Sequence, residues 1–357
     1  MRGILCSLFA LCLLFCAASA LGVPQDVIQA APEGASEYTA EFEDQSGPQA
    51  LDGGIRRIWE DLRRQCGAIF RQRLRGAVSV LTAVILCSGA KGLLGDREGG
   101  LLLPMAGALA VTALAAGSLD YLIGLGWDTI RDLDRFSKAL LPALAAATAA
   151  SGAVTTATFQ QVATVFLSEL LVGWMSGVLM PVTYLYIGVL TASCALAEDR
   201  LALLAAGLKK IVTSLLTGSL LLFTVYLSVS RVITGSVDAA AVRTAKAAVS
   251  NVVPVVGGIL AEAAEAVLAG AGTLRASLGV FGMVAILGAC VYPFLQLGIQ
   301  YLLYKAAALL ASCVGMPELC RLLDGLGGAF GLVLGMTGSC ALLLLVSVLS
   351  FVSAVTP

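Results

Sequence analysis

Four ionisable residues sit inside apolar sequence, and they are where chemistry has to be sought. Glu169 lies seven residues into the run that starts at Val162. Glu262 and Glu265 are three apart, on one helical face, and Arg275 follows ten residues after Glu265. A charge at membrane depth costs roughly 2.5–3.5 kcal/mol or more unless it is paired or wet. One reading is therefore a water-filled cavity or ion path, with Arg275 pairing either acid across a helical turnaround. The other is a surface helix whose acids face solvent. Reactive machinery is otherwise missing. The chain has no histidine, the commonest general base and metal ligand. Cys6, Cys12 and Cys16 lie in the first twenty residues, and the remaining seven cysteines form no Cys-x-x-Cys, so neither a zinc site nor a disulfide framework is indicated. No Gly-x-Ser-x-Gly and no phosphate-binding Gly-x-x-x-x-Gly-Lys loop occurs. The expectation is no catalytic residue, no metal and no cofactor.

The elements that hold these residues follow from composition. Of 357 residues, 59% are hydrophobic and 13% charged, against about 25% charged in soluble domains, and mean hydropathy is +0.93. That excludes a soluble enzyme, a disordered hub and a nucleic-acid binder. A net charge of −1 exerts no long-range pull on partners of either sign. The fold class is all-α, a polytopic membrane helical bundle.

Residues 1–20 carry Arg2, an apolar run from Ile4 to Phe15, and Ala18-Ser19-Ala20, the pattern of a cleavable signal peptide. A lipoprotein signal at Cys16 is the rival, opposed by bulky Phe15. Residues 21–50 hold six acids and no base, with Pro24, Pro32 and Pro48, and read as a flexible exported tether. Residues 51–75 reverse the charge. Arg56, Arg57, Arg63, Arg64, Arg71, Arg73 and Arg75 interleave with Ile55, Ile58, Trp59, Leu62, Cys66, Ile69, Phe70 and Leu74, giving a basic amphipathic helix that runs into the first span. It is either a snorkelling surface helix or a contact for the lipid bilayer or an acidic partner.

The multi-spanning domain, 76–357, shows apolar segments near 76–94, 99–119, 139–158, 162–197, 211–230, 251–272, 276–304 and 325–355. Pro181 and Pro293 fall inside long runs, and Pro142 and Pro254 stand where small-residue helices begin. All four are expected helix breaks, and residues 255–272 suit a re-entrant segment. An offset of 112 residues aligns Arg131 with Arg243, Pro142 with Pro254 and Pro181 with Pro293. The alignment suggests parallel repeat units, 99–200 and 211–312, before a terminal span at 325–355. With a signal peptide and an even number of crossings in 99–197, the total is about 6–10 spans. Gly173/Gly177 and Gly331/Gly335 have the four-residue spacing that lets helices approach closely.

The block Arg243-Thr244-Ala245-Lys246, followed by Asn251-Val252-Val253-Pro254-Val255-Val256-Gly257-Gly258, resembles the signature of the stage III sporulation protein AE family. Leu274-Arg275, Leu278–Gly282, Ala139–Pro142 and Ala150-Ser151-Gly152 extend the resemblance over the chain after the signal. It implies a non-enzymatic integral protein of the mother-cell membrane around the forespore; the signal peptide sets its mature N-terminus outside the cytoplasm. Its partners would be other membrane proteins of the stage III sporulation complex and a forespore membrane protein, in a transenvelope, secretion-like channel needed after engulfment. The alternative is a small-solute or ion permease using Glu169 and Glu262 near Pro142 and Pro254.

Overall fold

The computed structural model describes residues 23–39, 48–99, 102–152, 154–196, 198–252 and 257–353. Two short helices, α1 (Gln25–Gln29) and α2 (Ser36–Thr39), flank a 3₁₀ turn at Glu33–Ala35. The bundle comprises α3 (Pro48–Gly99), α4 (Leu102–Ala150), α5 (Val154–Trp174), α6 (Met180–Leu196), α7 (Asp199–Val252), α8 (Gly257–Ser312) and α9 (Pro317–Val352). A π-helical turn, Met175–Leu179, joins α5 to α6. Among the described residues six stretches are long and apolar enough to cross a membrane, α5 and α6 together forming one of them.

Helix is the only spanning form such Leu/Ala-rich runs can take without a closed sheet, because every backbone donor must be met internally. The ends are set by local chemistry. Gly152 (φ +97°) closes α4, with the Ser151 N–H donating to the Ala147 carbonyl. Gly315 (φ +79°) follows α8, and Pro317 opens α9 at its first position, where a missing N–H costs nothing.

The eight apolar segments become six because several merge. Segment 99–119 runs on in α4 through the amphipathic stretch Trp127–Lys138 into segment 139–158, as far as Ala150, and residues 257–272 continue into 276–304 within α8. The expected breaks at Pro142 and Pro293 are therefore corrected, since both prolines lie inside continuous helices. Each removes one backbone hydrogen bond, but neighbours in the same turns are locked in the core. Leu140, Leu141 and Leu144 flank Pro142, and Gln296 and Leu297 follow Pro293. No re-entrant turn interrupts 257–272. Pro181 does perturb its helix: the π turn widens the backbone just ahead of it, without reversing the chain. Its aligned counterpart, Pro293, has no such turn, and Pro254 lies outside the described residues.

Contacts order the helices up and down. At the lower end, Gly107 of α4 meets Leu319 of α9 and Cys87 of α3, the Ser88 hydroxyl donates to the Val314 carbonyl, and Lys305 of α8 pairs with Asp324 of α9. At the upper end, Phe136 of α4 packs on Phe281 of α8, and Gly279 of α8 lies against Val352 of α9. α8 and α9 form the centre; α3, α4, α6 and α7 surround them, and α5 packs on α4 and α7. Helices α3, α4, α7 and α8 have 49 to 56 residues. At 1.5 Å per residue that is about 75–85 Å, more than twice the ~30 Å of a hydrocarbon core.

The expectation of a flexible tether is corrected over residues 23–39. Val27, Ala35, Tyr38 and Thr39 are buried, and this strap lies on α3, α4 and α8 near Gly288. Its apolar residues are too few to show a period, yet each finds a groove. Residues 40–47 of the tether, and the signal segment 1–20, lie outside the described residues.

Candidate functional site

α3, α4 and α8 bring four polar side chains to one level. Arg73 Nε donates to Gln296 Oε1 at 2.6 Å, and its guanidinium carbon sits 5.0 Å from the Tyr121 ring centre. The Tyr121 and Tyr292 hydroxyls are 3.3 Å apart. Tyr121 and Tyr292 are otherwise exposed, whereas Gln296 is 2% exposed. Exposed tyrosines beside an arginine form the kind of belt found where a bilayer meets water. Tyr292 stands 20 residues before the end of α8 at Ser312. That is about 30 Å, one hydrocarbon thickness. Between these levels the outward residues are Val78, Ile85 and Leu86 on α3, Met105, Leu109 and Leu114 on α4, and Leu302 and Leu309 on α8.

Above the belt the surface changes. α4 shows Asp128, Arg131, Arg135 and Lys138 outward and buries Ile130, Leu133 and Phe136. Of the seven arginines in residues 51–75 of α3, Arg73 turns into the bundle, Arg56 pairs with Glu60 at 3.1 Å, and Arg63, Arg64, Arg71 and Arg75 are exposed. Arg57 is half-buried. The apolar partners predicted for this helix divide: Ile69 is buried, while Ile55, Trp59, Phe70 and Leu74 are exposed beside the arginines.

The predicted site residues do not converge. Glu169 is exposed on α5, close enough to Lys138 for the charges to interact. Glu262 and Glu265 belong to α8, but their side chains lie outside the described residues. Arg275 is buried, and one of its N–H groups donates to Ser151 Oγ at 3.3 Å, tying α8 to the α4 turn. The predicted turnaround between Glu265 and Arg275 is corrected: both stand on one helix, about 15 Å apart along its axis. Arg243, Thr244 and Lys246 lie in α7 with undescribed side chains, and Gly257 is the first residue of α8. Gly331 packs against Tyr301, as its spacing suggested, but a Cβ at Gly173 or Gly177 would meet nothing within 4 Å.

Among the polar residues with buried side-chain atoms, Asp134, Gln296 and Gln300 escaped the sequence reading. Asp134 accepts from Lys138 at 2.9 Å through one oxygen; the other, without a partner among the described residues, faces Leu171, Cys340 and Leu344. Gln296 and Gln300, four apart on α8, are 2% and 1% exposed. The four-residue spacing of two glutamines in an apolar run was the available signal. Among the described residues no group of three Cys, Asp or Glu is placed to hold a metal ion.

Comparison with known proteins gives a match over residues 102–355 to the family described as Stage III sporulation protein AE. A relative of that name from Bacillus subtilis (strain 168) is 24% identical over 216 residues, 60% of this chain. The matched stretch spans 54% of that relative, about half its length. No solved structure matches.

Proposed function

Because the chain belongs to the stage III sporulation protein AE family, we propose that it is a non-enzymatic, integral-membrane subunit of a transenvelope channel-like complex between mother cell and forespore. The observation that carries the reading is length. Four apolar helices exceed the bilayer more than twofold, so their upper halves stand clear of it as a helical platform. That platform carries the exposed arginines and apolar residues of α3, which suit other membrane proteins of the stage III complex and a forespore membrane partner. Six candidate spans among the described residues support a topology in which α3 begins and α9 ends on one side, and the signal-like start supports that side being outside the cytoplasm. The lower end, with Lys91, Arg200, Lys209, Lys210, Lys305 and Arg321, then faces the cytoplasm of the mother cell. A permease reading draws no support from Glu169, which is exposed and lines none of the larger cavities.

Membrane fractions from sporulating cells test the proposal. The chain should stay in the pellet after alkaline carbonate washing and co-purify with other membrane proteins of the complex, and its deletion should arrest spores after engulfment. Release by carbonate, or normal spores from the deletion strain, would overturn it.

A further inference from the structure

A cavity of about 580 Å³ opens at the lower end between α6, α7, α8 and α9, in the size range of small-molecule sites. Small side chains make the room: Ala202, Ala205 and Ala206 of α7 face Ala308 of α8. The rim residue Leu309 is 72% exposed, so the seam between α7 and α8 opens on an apolar surface.

Three cations line this cavity, and they are not equally compensated. Lys305 is held by Asp324. Arg321 makes one long contact, 3.4 Å, to Asp199, a residue almost fully exposed to solvent. Four of the five guanidinium N–H donors stay outside that contact. The Lys209 ammonium has no hydrogen-bond or ion-pair partner among the described residues, while the backbone carbonyl of Lys209 accepts from the Thr213 hydroxyl at 2.9 Å. Its ammonium lies against the α9 backbone, where a Cβ on Gly328 would come within 2.9 Å of Nζ and 3.3 Å of the Tyr186 hydroxyl. That hydroxyl is itself engaged, donating to the Gly325 carbonyl at 2.9 Å. Two further acids lie near: Glu318, beside Cys194, and Glu198, which is exposed and whose backbone carbonyl accepts from the Ser193 hydroxyl. An uncompensated ammonium and a largely free guanidinium, above apolar walls, are complementary to a phosphate that carries hydrocarbon.

Depth sets how a lipid reaches these cations. Lys305 is seven residues from the lower end of α8 and thirteen below Tyr292. It therefore sits about 10 Å inside the helix end and about 20 Å below the tyrosine belt, in the lower third of the hydrocarbon layer bounded by that belt, while Arg321, four residues into α9, stands about 6 Å from the lower end, where a long side chain reaches the headgroups.

We infer that this cavity is a phosphate site for an anionic phospholipid of the lower leaflet, with Lys209 and Arg321 as the phosphate contacts and the alanine-lined seam holding the chains. The inference rests on the membrane-spanning reading above.

Full-length protein in detergent micelles, titrated separately with phosphatidylglycerol, phosphatidylcholine and inorganic phosphate, tests it by native mass spectrometry and thermal midpoint. Phosphatidylglycerol should bind at least tenfold tighter than phosphatidylcholine. Lys209→Gln and Arg321→Gln should each weaken it about tenfold, and Lys209→Arg should restore it. Lys210→Gln, one residue along α7 and outside the cavity, should leave it unchanged. Inorganic phosphate binding alone with the same dependence on Lys209 would keep the phosphate site and assign its source to free phosphate. Equal binding of the two lipids with no phosphate binding, or equal losses for Lys209→Gln and Lys210→Gln, would overturn it. Retention after carbonate washing with no lipid preference sinks this site alone, whereas release by carbonate sinks the membrane reading itself.

Discussion

α7 and α8 are close in length, 54 and 56 residues, and both hold stretches apolar enough to cross a membrane, yet they occupy opposite surroundings. Of the most apolar window of α8, 67% is buried inside the protein; of that of α7, 17%. Hydropathy does not separate them, because lipid tails are as apolar as leucine and supply no hydrophobic drive for one helix to bury another. Shape and polar groups do. α8 presents Gly279, Gly282 and Gly288 to close neighbours and carries the buried Gln296 and Gln300. α7 turns Leu203, Ile211, Leu221 and Leu222 outward, and a Cβ at Gly207 or Gly218 would meet nothing within 4 Å. The centre of such a bundle is where small residues permit contact and polar residues require it.

The sharpest way to break this comparison is to add bulk at matched glycines. A Cβ on Gly282 would fall 2.6 Å from Leu140 Cδ2, inside the contact between α8 and α4. Gly282→Val should destabilise the bundle by about 3 kcal/mol, the upper end for overpacking. Gly218→Val on α7 should change the thermal midpoint little. Size-exclusion profiles and thermal unfolding of the two variants in detergent read the difference. Equal behaviour would mean that α8 is not the packed centre.

The polar half of the argument rests on Arg73 and Gln296. Gln296→Leu leaves the guanidinium without its amide acceptor and should cost about 1.5–3 kcal/mol, the range for hydrogen bonds to charged groups. Arg73→Met in the same chain should recover part of that loss, while Arg71→Met, on the exposed face, should recover none. A double-mutant cycle on unfolding midpoints measures the coupling. A coupling near zero would reduce the bond to a surface contact and leave shape alone to place α8.

How much of this was legible depends on which force decided each feature. The helical class and the apolar segments were, because composition forces them: 59% hydrophobic residues and so little charge leave no other fold for the bulk of the chain. The merging of eight segments into six was not. Pro142 and Pro293 carry a local penalty that only tertiary packing overrides, and no periodicity reveals that Leu140 and Leu141 are locked against neighbours. Glu169 drew attention as an intramembrane charge because burial was inferred from hydropathy, whereas α5 leaves it exposed. Asp134 escaped for the converse reason. With Lys138 four residues on, it looks like half of a solvated ion pair, and only the approach of α5 and α9 buries its other oxygen.

The strap supplies the smallest and most selective test, because it covers α8 and has no counterpart among the described contacts of α7. Tyr38 packs on Gly288, and its phenol donates to Asp61 on α3. Burial, with that hydrogen bond and the charge of Asp61, pushes the phenol pKa above its ordinary value near 10. The sign follows: the folded strap prefers the neutral phenol, so its docking is fully present below about pH 10 and weakens as pH rises beyond it. Tyr38→Phe should loosen the strap by about 1 kcal/mol, the usual net worth of one hydrogen bond, and should remove the alkaline dependence that belongs to the phenol. Hydrogen exchange over residues 23–39 at pH 8 and pH 10.5 reads both effects, each rate first corrected for intrinsic base catalysis. The native strap should lose protection at the higher pH, while α8 below Tyr292 keeps its own. If the loss is the same in Tyr38→Phe, the phenol is not the latch, and the burial of upper α8 owes nothing to that contact.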